Sequence, residues 1–273
     1  MHKIQVVNLS FAYGDEQILD KINMEIEAGD FICLLGESGC GKSTFLRLMA
    51  GLAKADSGSI LVGGKEINGA SLERGVVFQD YSLFPWFTTG KNIMLALRQK
   101  YPKESSKALK ERALYYLNEV GLDSSVFNKL PKELSGGMQQ RCAICRAFAL
   151  DPPILLMDEP FGALDAVTRA RLQDMILHLW KKDHPNRKTI LFVTHDVDEA
   201  LLLATKIFVF GSNPSKIIYE HTFKAEEKPN RETLFENKEY IDLRNSLLRI
   251  LNKDIETKIK ESEVIKWEKK YLT

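Results

Sequence analysis

The stretch GESGCGKST, Gly36 to Thr44, follows the short apolar run FICLL. Gly36, Gly41, Lys42 and Ser43 fit the spacing G-x-x-x-x-G-K-S/T. The glycines let the backbone bend so that successive N–H groups face phosphate oxygens. Gly36, Ser38, Gly39, Cys40, Gly41 and Thr44 therefore join Lys42 and Ser43 as expected nucleotide-binding residues. A helix opening at Lys42 aims its positive end at the same anion. Lys42 adds a full charge near the β- and γ-phosphates, and the Ser43 hydroxyl can ligate Mg²⁺.

The flanking pattern predicts where the loop sits. FICLL is apolar throughout, as a strand covered on both faces should be. STFLRLMAGL carries apolar residues at helical spacing up to Gly51. IQVVNLSFAY, INMEI and SGSILVGGKEI read as strands with turns, enough for a side sheet. RGVVFQD reads as a strand ending at Gln79. Helical periodicity runs from about Lys91 to Val120, and another helix starts behind Ser135. PILLMDEP and TILFVTHD read as buried strands, DEALLLA as a helix, and KIFVFG and KIIYEH as late strands. The order predicts an α/β, P-loop NTPase core with an antiparallel β side sheet. A helical lobe is inserted over about 83–150.

A phosphate loop needs a carboxylate partner for its metal. ILLMDEP places Asp158 and Glu159 at the end of an apolar strand. Asp158 is the expected metal-side acid, reaching the ion directly or through water. Glu159 is then free to act on the attacking water. The alternative is a strand-end turn with two solvated acids.

LSGGMQQR, Leu134 to Arg141, makes the sequence specific, because it resembles the signature of the ATP-binding cassette (ABC) ATPases. The resemblance covers roughly the first 220 residues. Tyr13 stands where that family sets an aromatic ring against adenine, though it can equally pack on the side sheet. Gln79 follows a strand, GALD (Gly162 to Asp165) follows the acidic strand, and His195 stands at the place of the switch histidine. The resemblance implies an ABC ATPase fold over 1–223, with 224–273 a charged, helical extension.

It also implies a homodimer in which each ATP lies between one copy's loop and the other's Ser135, Gly136 and Gly137. Those residues open a helix, so their N–H groups form an anion site, although Ser135 can also serve as an ordinary N-cap. Glu159 would polarise water, His195 would hold the γ-phosphate, and Gln79 would touch Mg²⁺ and water. Met138 replaces the commoner glutamine of LSGGQ, as often in members that import sulfonates, taurine or nitrate. FQDYSLFPW, DEPFGALDAVTR and VTHDVDEALLLA look most like importer ATPases for nitrate, sulfonate, taurine and bicarbonate. ATPases of thiamine-precursor importers look similar. The resemblance implies a separate integral membrane permease as partner and, indirectly, a solute-binding protein. Phe84, Trp86 and Phe87 either grip that permease or pack the lobe junction. The other reading is a soluble ABC-type ATPase with a non-transport partner.

Composition narrows the choice. Acids and bases nearly cancel, 37 against 38, which argues against nucleic acid as a partner. No apolar run approaches the roughly 18 residues that cross a bilayer. ALLLATKIFVF, the best candidate, is broken by Lys206, and the N-terminus has no long apolar core. The expected location is cytoplasmic, peripheral on the inner face of the cell membrane. Cys142 and Cys145 form C-x-x-C on a helical pattern without a second ligand pair, so they read as buried thiols. Within the charged C-terminal stretch, Leu243, Leu247, Ile250, Leu251, Ile255 and Ile259 form the stripe of an amphipathic helix expected to pack on the core.

Overall fold

The computed structural model describes residues 2–162, 164–182, 187–211, 214–224 and 231–271. Four strands form the side sheet: β1 (Ile4–Tyr13), β2 (Glu16–Ile26), β4 (Ser57–Val62) and β5 (Lys65–Glu66), in the order β2-β1-β4-β5, all antiparallel. The main sheet contains β3 (Phe31–Leu35), β6 (Arg74–Val77), β7 (Ile154–Asp158), β8 (Thr189–Thr194), β9 (Lys206–Phe210) and β10 (Ile217–Thr222). Its order is β10-β9-β3-β8-β7-β6, and its pairings are parallel except that between β9 and β10.

The period-2 alternation of strands explains why these runs are wholly apolar. In β3, Phe31, Cys33 and Leu35 face one core, while Ile32 and Leu34 face the other. Strands β7, β8 and β9 divide in the same way: Met157, Phe192 and Val209 lie on the first side, and Leu156, Val193 and Phe208 on the second. The second core is closed by the side sheet and by α1 (Lys42–Ala50). The first is closed by α4 (Gly136–Ala149), α5 (Ala166–Lys182), α6 (Val197–Leu203) and residues of α2 (Thr89–Lys100) and α3 (Ser106–Glu119).

The helical lobe lies where the sequence places it, but Lys91–Val120 is two helices rather than one. The helix breaks at Tyr101-Pro102, since proline carries no N–H and disfavours a helical residue before it. The second helix restarts at Ser105, whose side chain accepts from Ala108 N at 3.2 Å. Strand β6 ends at Val77, two residues before the predicted Gln79. The chain then turns through left-handed residues at Tyr81 and Ser82.

The C-terminal helix α7 (Lys238–Tyr271) lays Leu247, fully buried, on the first core, with Leu243, Ile250 and Leu251 packed beside it. Ile255 and Ile259, the rest of the predicted stripe, lie outside the described side chains. Among the described residues, no helix is long and apolar enough to cross a membrane.

Candidate nucleotide site

The phosphate loop joins the end of β3 to the start of α1, at the edge where the parallel strands end. Its close turns need glycine at two places. Gly41 has φ 105°, and a Cβ there would meet Ile18 and Leu19 side-chain carbons at 3.0 Å. A Cβ on Gly36 would lie 2.7 Å from the Phe210 carbonyl oxygen. Lys42 is 3% exposed, and its ammonium donates to the carbonyls of Gly36 (2.9 Å) and Glu37 (2.7 Å). The lysine thus threads back through its own loop, while Ser38 and Gly39 stay exposed at the tip. Cys40 is buried, and burial pushes its thiol pKa up.

The acidic strand meets this loop directly. Ser43 Oγ donates to Asp158 Oδ1 at 2.8 Å. Burial raises the Asp158 carboxyl above its ordinary value, against the opposing pull of the Ser43 hydrogen bond. Two hard oxygen donors, a hydroxyl and a carboxylate, therefore converge at the mouth of the loop, a donor set that suits Mg²⁺.

Glu159 follows in the left-handed region, φ 42°, which costs a residue with a Cβ roughly 1 kcal/mol. The turn is held on both sides: Glu159 N donates to Val193 O, and Gly162 N donates to Glu159 O, each at 3.2 Å. The carboxylate stays largely shielded, and its Oε2 lies 3.3 Å from His195 Nδ1. With Nδ1 turned to that acid, Nε2 is left for another partner.

The two polar contacts, Ser43 to Asp158 and His195 to Glu159, gather four of the predicted residues. Gln79, Tyr13 and Ser135–Gly137 take part in neither. Gln79 lies exposed on the turn after β6. Tyr13 is 49% exposed at the end of β1, its ring edge-on to Phe11 at 4.8 Å between centroids, so stacking on one side leaves a face open. Ser135 caps α4 by accepting from Met138 N at 3.3 Å, and both Ser135 and Gly136 are exposed. Within GALD, Ala163 lies outside the described residues; Asp165 caps the next turn, accepting from Thr168 N.

Two arginines that the sequence reading passes over hold these loops. Arg146 on α4 donates to the carbonyls of Ser82 (2.6 Å) and Tyr81 (3.2 Å), pinning the turn beyond Gln79. Arg169 on α5 donates to Asp196 Oδ2 (3.3 Å) and to the Leu164 carbonyl (3.4 Å), tying the loop after β7 to the one after His195. A guanidinium that reaches carbonyls two loops away leaves no sequence signal beyond a basic residue on a helix face. Phe84, Trp86 and Phe87 form a mutual ring cluster, with Trp86 68% exposed.

Residues 19–162, more than half of the chain, match the family model described as ABC transporter. The chain is 41% identical over 251 residues to the bicarbonate transport ATP-binding protein CmpD of Synechococcus elongatus, covering 90% of this chain and 89% of that one. It is 44% identical over 244 residues to the nitrate import ATP-binding protein NrtD of Synechocystis sp., covering 86% and 90%. Among solved structures, a dimeric post-hydrolysis state of the ATP-binding cassette MJ0796, bound to ADP and Pi, superposes with a TM-score of 0.73. That match is at 31% identity and covers 81% of this chain and 99% of that one. The chain therefore belongs to the ABC transporter family, as an ATP-binding, ATP-hydrolysing member.

Proposed function

We propose that two copies of this chain close head to tail on ATP and drive solute import through a separate permease. The observation that carries this reading is the division of the site within one copy. The loop, Asp158, Glu159 and His195 are assembled, whereas the exposed N-terminus of α4 at Ser135, Gly136 and Gly137 belongs to neither contact. A helix start offers unpaired N–H groups and the positive end of its dipole. The γ-phosphate bound on a second copy is the anion that suits it.

Within each site the roles follow from chemistry. Lys42 and the loop amides from Gly36 to Thr44 hold the phosphates. Ser43 and Asp158, with Gln79 swinging in, would hold Mg²⁺, which when bound neutralises phosphate charge. Glu159 takes a proton from the attacking water, His195 steadies the γ-phosphate, and Tyr13 lies against adenine. Closure and reopening supply the mechanical stroke, and the aromatic ledge of Phe84, Trp86 and Phe87 receives a short helix of the permease. The relatives' names favour nitrate or bicarbonate as the solute. In this reading a binding protein delivers it, and the ATPase is peripheral on the inner membrane face. Residues 1–223 form the motor, and 224–273 are an extension, of which Leu243, Leu247, Ile250 and Leu251 pack on the first core.

The composite site is tested by mixing two inactive variants, Lys42→Ala and Ser135→Arg. A mixed dimer has one site carrying both defects and one carrying none, so ATP turnover should reappear on mixing. Failure of either to complement the other would refute the shared site. Uptake of nitrate or bicarbonate into vesicles that hold the permease tests the transport half.

A further inference from the structure

A line of buried polar groups runs from the surface to the strand end that carries His195. Arg231, just before α7, donates from Nη2 to Gln173 Oε1 at 3.0 Å and to Asp174 Oδ1 at 2.9 Å. Gln173 on α5 is 5% exposed, and its Nε2 donates to Glu199 Oε1 at 2.9 Å. Glu199 on α6 is 6% exposed, and its Oε2 accepts from Thr194 Oγ1 at 2.5 Å. Thr194 is 3% exposed, and its hydroxyl oxygen accepts from Asp196 N at 3.0 Å. The last bond closes the turn whose middle residue is His195.

The polarity of this line is held from both of its charged groups. A guanidinium only donates, so it holds the Gln173 oxygen toward itself and the amide hydrogens toward Glu199. The Glu199 carboxylate, supplied from one side by Gln173, accepts a hydrogen bond from the Thr194 hydroxyl on the other. That leaves the hydroxyl lone pairs for the Asp196 N–H. Without Arg231 the Gln173 amide oxygen has lost that donor, while the Glu199 carboxylate still holds the amide hydrogens on the other side. A buried acceptor left without its donor carries a desolvation penalty, which the side chain relieves by shifting toward water, and Glu199, Thr194 and the turn at His195 move with it.

We propose that Arg231, in the segment that follows the ATPase core, is a positioning residue for His195, acting through Gln173, Glu199 and Thr194. The extension beyond the core thereby sets how well the histidine is held for hydrolysis. This rests on the reading of His195 as the group that steadies the γ-phosphate. Arg231 is 43% exposed by side chain, so replacing it removes a donor without opening the core.

The test uses the full chain with ATP and Mg²⁺. Arg231→Met, which keeps the side-chain length and has no donor, should lower kcat about three- to tenfold, the span of a lost coupling contact. KM for ATP should stay within about twofold, because the phosphate loop is untouched. Arg231→Lys, also a pure donor, should restore most of the rate. In isotope-labelled histidine spectra, the His195 ring signal should move in Arg231→Met and return in Arg231→Lys. An unchanged kcat in Arg231→Met beside an inactive His195→Ala would overturn the proposal and leave the reading of His195 standing. Parental turnover in His195→Ala would overturn both. A loss of kcat that tracks a lower melting temperature, with the His195 signal unmoved, would mean that Arg231 only stabilises the fold, and the proposal would fall.

Discussion

Ser43 at the head of α1 and Asp158 at the end of β7 are joined by a 2.8 Å hydrogen bond across a sequence separation of 115 residues. The parallel sheet makes the meeting possible. Strands β3 and β7 flank β8 and run the same way, so the loops leaving them emerge at one edge.

The burial of Asp158 has a stability consequence that its contact with Ser43 opposes. Burial raises the Asp158 pKa above the ordinary 3.8, so the folded chain keeps its proton to a higher pH than the unfolded chain does. Stability therefore falls as pH rises through the interval between the two values, and the penalty is complete above it. Asp158→Asn removes the charge while keeping an oxygen for Ser43. Its melting temperature at pH 7 should exceed the parent's by a few degrees, the gain shrinking toward zero as pH is lowered to about 4. ATP turnover should be lost. Calorimetry across that pH series reads the effect, and a less stable variant at pH 7 would contradict it.

Glu159→Gln keeps the size and the hydrogen-bonding edge of the side chain but cannot take a proton. Turnover should fall by about 10²–10⁴-fold, the span of a general base. Phosphate release measures the loss, and light scattering with ATP present should show a persistent dimer. Parental turnover would show that another group activates the water.

Lys42→Ala removes the ammonium that bridges the carbonyls of Gly36 and Glu37 as well as the charge offered to phosphate. Productive ATP binding should be abolished, as read by fluorescent-nucleotide titration. Parental affinity would exclude the loop as the phosphate site.

Gly51 ends α1 with φ 73°, and a Cβ there would lie 2.1 Å from the Gly69 carbonyl oxygen. Gly51→Ala should cost more than the roughly 1 kcal/mol of a left-handed alanine, because the two backbones must part. Urea unfolding should show the midpoint fall without loss of nucleotide affinity in the molecules still folded.

Leu247 is the fully buried anchor of α7. Leu247→Ala should lower stability by about 2–5 kcal/mol if the helix unfolds with the core as one unit. A separate low-temperature transition would instead show an independently melting extension.

The motifs of the candidate site were legible as motifs because their residues are contiguous: the run from Gly36 to Thr44, the pair Asp158-Glu159 and the octet from Leu134 to Arg141 each carry their pattern within a few positions. The doubly covered strands were legible for a similar reason, since both faces of FICLL are apolar. What escaped depends on distance in the chain. Arg146 and Arg169 act on carbonyls and carboxylates brought near only by the fold, and their own neighbourhoods read as plain helix. The left-handed turn at Glu159 also escaped, because no glycine marks it. Pro102, where the helix breaks, escaped as well, because apolar periodicity runs on either side of it.

Helix α4 carries Ser135 at its front and Arg146 eleven residues on, a rod spanning about 16 Å between them. Its second half, from Cys142 to Ala149, is seated in the first core, so the rod and that core move as one body. Arg146 ties the same rigid body to the turn at Tyr81-Ser82, two residues before the aromatic ledge at Phe84. If a phosphate on a second copy presses on the tip, as proposed, the push would reach that ledge as displacement without any rearrangement inside the helix.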